Sequence, residues 1–239
     1  MRTDLEGRHT YWNEKFEQDF GWIYSQNGLS QADSLQSICE YHHERTLQAV
    51  NQCFAEPGKV VMVELDKPAY GGGIRTTLWE FIALLDEHEQ PTGIQCMGID
   101  VTERKKAEEQ LRKLSKAVEQ SPVSIVITNL EGKIEYANPA ASKTTGYALD
   151  ELLGKNPRVL KSGHTSQEEY EALWEAITHG KSWKGILRNR KKNGQLYWES
   201  SVISPILDES GKPSHFMAIK EDITERVRIQ EELNFNDLR

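Results

Sequence analysis

The residues with the most binding chemistry lie in the second half of the chain. Arg158, Lys161 and His164 stand close together beside the small residues Ser162 and Gly163. Cations and accessible backbone N–H groups are what a phosphate-bearing ligand needs. Trp174 and Trp183 follow, then Asn189, then Trp198. Tryptophan offers flat apolar area and stacking, of order 1 kcal/mol beyond burial. An asparagine amide offers a donor and an acceptor on one planar group. Asn189 falls inside an otherwise apolar strand candidate, where a buried amide must be satisfied. Each residue also has a plainer reading. Trp174 sits on the apolar face of a helix, where tryptophans pack into cores, and Arg158 alone would be a surface cation.

Other chemistries find little support. No G-x-S-x-G, no H-E-x-x-H and no glycine-rich phosphate loop is present. Gly71-Gly72-Gly73 has no helix after it and reads as a hairpin turn. His42 and His43 are adjacent, so on a helix they point to different faces and cannot chelate. Paired carboxylates abound on helical surfaces, where a solvated face is the ordinary reading. Cys39, Cys53 and Cys96 show no C-x-x-C spacing and read as small hydrophobes suited to a reducing compartment.

Composition agrees with a folded, acidic chain. Its 239 residues allow one or two domains. Lys plus Arg number 29 against 37 Asp plus Glu, a net charge of −8, which argues against a nucleic-acid or anionic-membrane binder. No apolar run approaches the roughly 18–20 residues of a membrane helix, and the N-terminus carries no signal-like stretch. The expected location is cytoplasmic.

The elements that must position these residues occur twice. Thr3, Leu5, Glu6, Gly7, Tyr11 and Asn13 recur as Thr128, Leu130, Glu131, Gly132, Tyr136 and Asn138, an offset of 125. Further on the offset is 122: Asp100-Val101-Thr102-Glu103-Arg104 meets Asp222-Ile223-Thr224-Glu225-Arg226. Two ordered blocks imply two homologous domains, 1–103 and 120–226, joined by a helical linker 104–119 and followed by the start of a C-terminal helix, 227–239. Each copy reads as strand, Leu-Glu-Gly turn, strand, short helices, then three strands. That is a mixed α+β domain on an antiparallel sheet. In the second copy the strands are expected over 184–190, 195–207 and 214–221. A helix is expected over 166–179, capped by Ser166 and stopped by Gly180, with Tyr170, Leu173, Trp174 and Ile177 on one face. Asn13 and Asn138 read as turn or helix-cap residues. In the linker, Ala107, Leu111, Leu114 and Val118 form a short heptad seam, matched after the second copy by Ile229 and Leu233. These seams point to a homodimer through the helices.

With L-E-G-K-I-E-Y-A-N, T-G-Y and the ending I-K-E-D-I-T-E-R at 219–226, the chain resembles the PAS sensor-domain family, twice. The resemblance implies a five-stranded antiparallel sheet with short helices over one face, enclosing a small-molecule pocket. It also implies a sensory task whose signal leaves through the exit helix. The second copy further resembles the flavin-binding subgroup of nitrogen-fixation redox sensors and aerotaxis receptors. This rests on Gly154-Lys155-Asn156-Pro157-Arg158, then Ser162-Gly163-His164, Tyr170 and Trp174, Trp183, Asn189-Arg190, and Asn193-Gly194 with Tyr197-Trp198. The implied cofactor is FAD, held by Arg158, Lys161, His164, Trp174, Trp183, Asn189 and Trp198. Asp100, Thr102, Asp222 and Thr224 would pass the signal on, Asp222 anchoring the last strand to the helix start and Thr224 capping it.

The stretch matching the light-oxygen-voltage cysteine motif is Asn156-Pro157-Arg158-Val159-Leu160, without cysteine, so photo-adduct chemistry is not expected. The first copy lacks the flavin pattern, and no cofactor is expected in it. Its first strand is expected to be short. The chain reads as the sensor portion of a larger signalling protein, with an output such as a histidine kinase or diguanylate cyclase, and not itself an enzyme. A cofactor-free interaction and dimerisation module is the alternative. A flavoenzyme is disfavoured, because no proton-transfer residue or second cofactor site is recognisable.

Overall fold

The computed structural model describes residues 1–24 and 28–236. The chain divides into two compact units, Met1–Leu111 and Arg112–Arg239. The first contains strands β1 (Arg2–Thr3), β2 (His9–Tyr11), β3 (Val61–Pro68), β4 (Ile74–Leu85) and β5 (Pro91–Asp100), in the order β2-β1-β5-β4-β3. Helices α1 (Glu14–Phe20) and α2 (His43–Ala55) fall between β2 and β3. The second contains β6 (Ser124–Asn129), β7 (Ile134–Ala137), β8 (Trp183–Arg190), β9 (Leu196–Leu207) and β10 (Pro213–Asp222), in the order β7-β6-β10-β9-β8. Between β7 and β8 lie α4 (Pro139–Thr145), α5 (Leu149–Leu152) and α6 (Gln167–Thr178). Every strand pair in both sheets is antiparallel. The α+β class and the doubled sheet order are those the repeats imply. β1 has two residues where β6 has six.

Strand chemistry explains the pairing. β3 alternates buried positions with exposed or half-buried ones over Val-Met-Val-Glu-Leu-Asp-Lys-Pro, the period-2 pattern of a half-buried strand. The Gly71-Gly72-Gly73 turn links β3 to β4, with φ of +81°, +104° and +88° that side-chain-bearing residues avoid. Asn13 and Asn138 cap α1 and α4, accepting from Phe16 N at 3.0 Å and Ala141 N at 3.2 Å. The fully buried Asn138 also accepts from Ile125 N at 2.9 Å and donates to Val118 O and Val123 O, binding helix, strand and linker end together.

Helix α3 (Thr102–Glu119) runs through the division between the units, and α7 (Thr224–Asn236) follows β10. The seam residues Leu111 and Leu114 are 68% and 55% exposed, and Ile229 and Leu233 are exposed too. The last three residues of the chain lie outside the described ones.

The three long strands of the two units have equal lengths of 8, 12 and 10 residues, so positions correspond at an offset of 122. The interiors nevertheless differ. In the first unit Trp79 lies over Gly98, so close that a Cβ there would come within 2.5 Å of the ring. One continuous core results, including Phe16, Phe20, Leu65, Trp79 and Phe81. The fully buried Lys67 places its ammonium 4.9 and 4.7 Å from the Phe20 and Trp79 rings and donates to Ser37 Oγ at 2.8 Å. In the second unit Ser201 and Lys220 take the places of Trp79 and Gly98, and the core is split. One cluster is built on Val126, Ile134 and Leu152, another on Leu173, Ile177 and Phe216. The second unit's cavity, lined by Lys220, is about 300 Å³, against about 200 Å³ for the one lined by Trp79 and Gly98.

Candidate functional site

The cavity has a volume of about 300 Å³, at the lower end of small-molecule pockets. Helix α6 forms one wall. Ser166 caps it, its Oγ accepting from Glu169 N at 3.2 Å. Leu173 and Ile177 are buried and carry the packing, while Trp174 is 39% exposed and stands edge-on to Phe216 at 5.9 Å. Trp174 is thus cavity wall rather than filled core. The inward residues of β8, β9 and β10, including Leu187, Ile203 and Phe216, make the apolar floor. Arg158 and Lys161, both exposed, stand at the rim, with the Lys161 ammonium 3.6 Å from the centroid of the Tyr170 ring. Lys161, Tyr170 and Trp174 also line an adjoining groove with Gly163 and Thr165, so the cavity continues outward along α6.

Four of the seven candidate ligand residues, Arg158, Lys161, Trp174 and Asn189, line this one cavity. The other three stand outside its lining. His164 is exposed and its Nδ1 lies 3.2 Å from Ser162 Oγ. Ser162 itself is turned inward and donates to Arg188 O. Trp183 shares the inner face of β8 but packs over Gly185, against the Leu173–Ile177–Phe216 cluster. Trp198 is on the outer face of β9 under the Arg188 guanidinium, because Tyr197 and Glu199 take the inward positions and strand side chains alternate. A motif spelled in one letter after another does not carry that alternation.

The polar end of the cavity holds groups the motif reading passed over. Asn189 and Lys220 both line it, and both bond one oxygen of Glu199. Asn189 Nδ2 donates to Oε1 at 3.2 Å, Lys220 Nζ at 2.8 Å and Ser201 Oγ at 2.9 Å. Tyr197 donates its hydroxyl to Glu199 Oε2 at 2.9 Å. Glu199 and Tyr197 are each 1% exposed. Burial, reinforced by the Glu199 charge, pushes the Tyr197 hydroxyl far above its usual range. A carboxylate so deep is tolerable only because four donors, one of them a cation, converge on it. The available signal in the sequence was the alternation Tyr197, Glu199, Ser201, polar groups at every inward position of a strand that must face a core.

The strand ends in a hinge. Asp222 Oδ1 accepts from Thr224 N at 3.0 Å and from its hydroxyl at 2.5 Å. The capping oxygen is therefore Asp222's, and Thr224 Oγ1 instead accepts from Trp198 N of β9 at 2.9 Å. Lys191 Nζ pairs with Asp222 Oδ2 at 2.8 Å. Burial raises the Asp222 carboxyl, but the bonds from Lys191 and Thr224 outweigh it and hold the group below its usual range. The first unit has the same hinge, with Thr102 N donating to Asp100 at 2.9 Å and Thr76 N to Thr102 Oγ1 at 2.9 Å.

The remaining candidates are structural in their contacts. His42 Nδ1 accepts from Asp66 N at 2.8 Å, and His43 Nε2 lies 3.1 and 3.0 Å from Leu35 O and Ile38 O. Cys53 and Cys96 are buried and Cys39 half-buried, all as free thiols. Among the described residues there is no cluster of three metal-ligating side chains, and no helix is long and apolar enough to cross a membrane.

Residues 122–225 match the PAS domain family. The chain is 37% identical over 116 residues to a nitrogen fixation regulatory protein of Klebsiella oxytoca, covering 48% of this chain and 23% of that protein. It is 35% identical over 111 residues to a blue-light-activated histidine kinase of Brucella anthropi, covering 45% of this chain and 23% of that one. It thus spans about a quarter of the length of these relatives. Among solved structures, an RNA-binding light-oxygen-voltage receptor aligns over 86% of this chain and 89% of its own, at 16% identity and a TM-score of 0.47. The family match places a PAS domain at residues 122–225, and the first unit repeats the strand order of the second.

Proposed function

We propose that this chain is the sensor portion of a larger signalling protein, with FAD in the cavity of its second unit as the redox- or oxygen-responsive group. The domains would be 1–103 and 120–226, with the helix between them and the helix after them carrying the signal. The carrying observation is Asn189, a buried amide that lines an otherwise largely apolar cavity beside Lys220. An isoalloxazine ring is flat and apolar with a polar pyrimidine edge. Trp174 offers the flat wall, and Asn189 and Lys220 offer groups for the edge. Arg158 and Lys161 stand at the rim, where the cavity runs on into the adjoining groove. A diphosphate leaving the ring would meet these cations.

A change of redox state alters what the ligand's edge donates and accepts. Its effect would shift the population of arrangements at the Asp222–Thr224 hinge, without catalysis. The relatives bear the names of a nitrogen fixation regulator and a histidine kinase, which supports a histidine kinase output beyond this chain; a diguanylate cyclase is the other output proposed. Homodimerisation through the exposed helical seams would give the two exit helices a common readout.

The test is the absorption of the purified protein, before and after heat denaturation. Flavin bands in the near ultraviolet and blue, with FAD released on heating, are expected. Asn189→Ala is expected to lose flavin. A protein that stays colourless when offered FAD overturns the cofactor assignment and leaves the interaction-module reading.

A further inference from the structure

We infer that Glu199 and Tyr197 form a built-in relay that carries events at the cavity to the first turn of α7. The relay deepens the sensor reading of the same cavity, and its route is continuous. The cavity-facing groups, Asn189 and Lys220, both bond Glu199 Oε1. The other carboxylate oxygen holds the Tyr197 hydroxyl at 2.9 Å. The Tyr197 ring lies under the Lys191 ammonium, 5.1 Å from its centroid. Lys191 reaches Asp222 Oδ2 at 2.8 Å, and Asp222 Oδ1 caps Thr224 at the start of α7. Thr224 Oγ1 then accepts from the backbone of Trp198, the residue between Tyr197 and Glu199. The route closes on the strand where it began.

The physical lever is the buried carboxylate. Glu199 cannot turn to water for a replacement donor, so a ligand that draws Asn189 or Lys220 toward itself weakens one of the three donors on Oε1. The charge then leans harder on the Tyr197 hydroxyl. A shift of that ring changes the seat of Lys191, and with it the ion pair that holds the helix cap. Closely packed groups of this kind have discrete arrangements rather than continuous ones.

The first unit serves as an internal control. At the positions of Asn189, Tyr197, Glu199 and Lys220 it has Lys67, Arg75, Thr77 and Gly98. It keeps the capping hinge. There, however, Arg75 pairs directly with Asp100 at 3.3 Å and with Asp19 of α1 at 3.1 Å. The site of the carboxylate holds a threonine, and Trp79 lies over Gly98, leaving a smaller cavity of about 200 Å³. Hinge and cap occur in both copies; the chain of groups running inward from it occurs in the copy with the larger of the two cavities.

The test uses hydrogen exchange on the full chain. Tyr197→Phe keeps the ring and removes the bond to Glu199; Lys191→Met leaves the cavity lining untouched. Without ligand, each is expected to speed exchange in the first turn of α7 about fivefold, the effect of losing one modest bond, while amides of the β9–β10 ladder stay at wild-type rates. With FAD added, both variants are expected to bind it within about twofold of wild type and to lose the change in α7 exchange that wild type shows. Unchanged α7 exchange in both variants, or equal speeding throughout the second unit, overturns the relay. If wild type takes up no FAD, the cofactor assignment fails, while the ligand-free comparison still decides the relay.

Discussion

The Lys220 ammonium lies 2.8 Å from the Glu199 carboxylate, with side chains only 8% and 2% exposed, at the inner end of a cavity. Neither charge has bulk water to fall back on. The expectation follows that Lys220→Met alone destabilises the second unit by about 3–5 kcal/mol, because it strands a buried carboxylate. Lys220→Met combined with Glu199→Gln is expected to recover most of that loss. Denaturant unfolding of the two variants measures it. A double variant no more stable than the single one would show that the pair's charges are not what the site balances.

Lys67 gives the first unit a pH dependence. Burial in its aromatic cage lowers the amine to about 7 from an ordinary value of 10.5. Above the folded value the native state holds fewer protons than the unfolded chain, so stability rises with pH, by up to about 1.4 kcal/mol per unit. The rise is expected between pH 7 and 9. Above that, the raised thiol of Cys96 and hydroxyl of Tyr24, both pushed to about 12 by burial, act in the opposite direction. Unfolding midpoints of the first unit at pH 7, 8 and 9 are the measurement, with Lys67→Met expected to flatten most of the slope.

Gly132 connects a turn to the cavity wall. Its φ of +76° suits glycine, and an added Cβ would stand 2.6 Å from Asn156 Nδ2 and 3.4 Å from the Trp174 ring. Gly132→Ala is expected to cost about 1–2 kcal/mol from backbone strain and to weaken FAD binding several-fold by displacing Asn156, which lines the cavity. Thermal unfolding and flavin titration read the two effects separately. Unaltered affinity would remove Asn156 from the ligand's wall.

The helical seam predicts an assembly. Leu111 and Leu114 are exposed on a helix otherwise rich in charge. Leu111→Glu with Leu114→Glu is expected to convert a dimer to a monomer in sedimentation while leaving the unfolding midpoint of each unit within about 0.5 kcal/mol, as for surface changes. A wild-type protein that sediments as a monomer at micromolar concentration would overturn the dimer.

Repetition, turn chemistry and periodicity are local in the chain, and they fixed much of the architecture. The two Leu-Glu-Gly turns, the caps at Asn13 and Asn138, the glycine hairpin and helix α6 with Ser166 at its head all follow from residue type and spacing. So does the identity of Asn189 as an inward amide. Tertiary structure decided what those local rules leave open. Trp198 and Glu199 are neighbours in sequence, but the pleat sends one to the outer face and the other into the interior. Trp183 and Trp174 look equivalent as flat side chains, yet Gly185 gives the first a bed of its own and leaves the second at the cavity. Most of all, the room enclosed by each unit depends on pairs that meet only across the sheet. Trp79 over Gly98 narrows one unit, and Ser201 beside Lys220 leaves more room in the other, because space inside a core is set by side-chain volumes from different strands summed at one place.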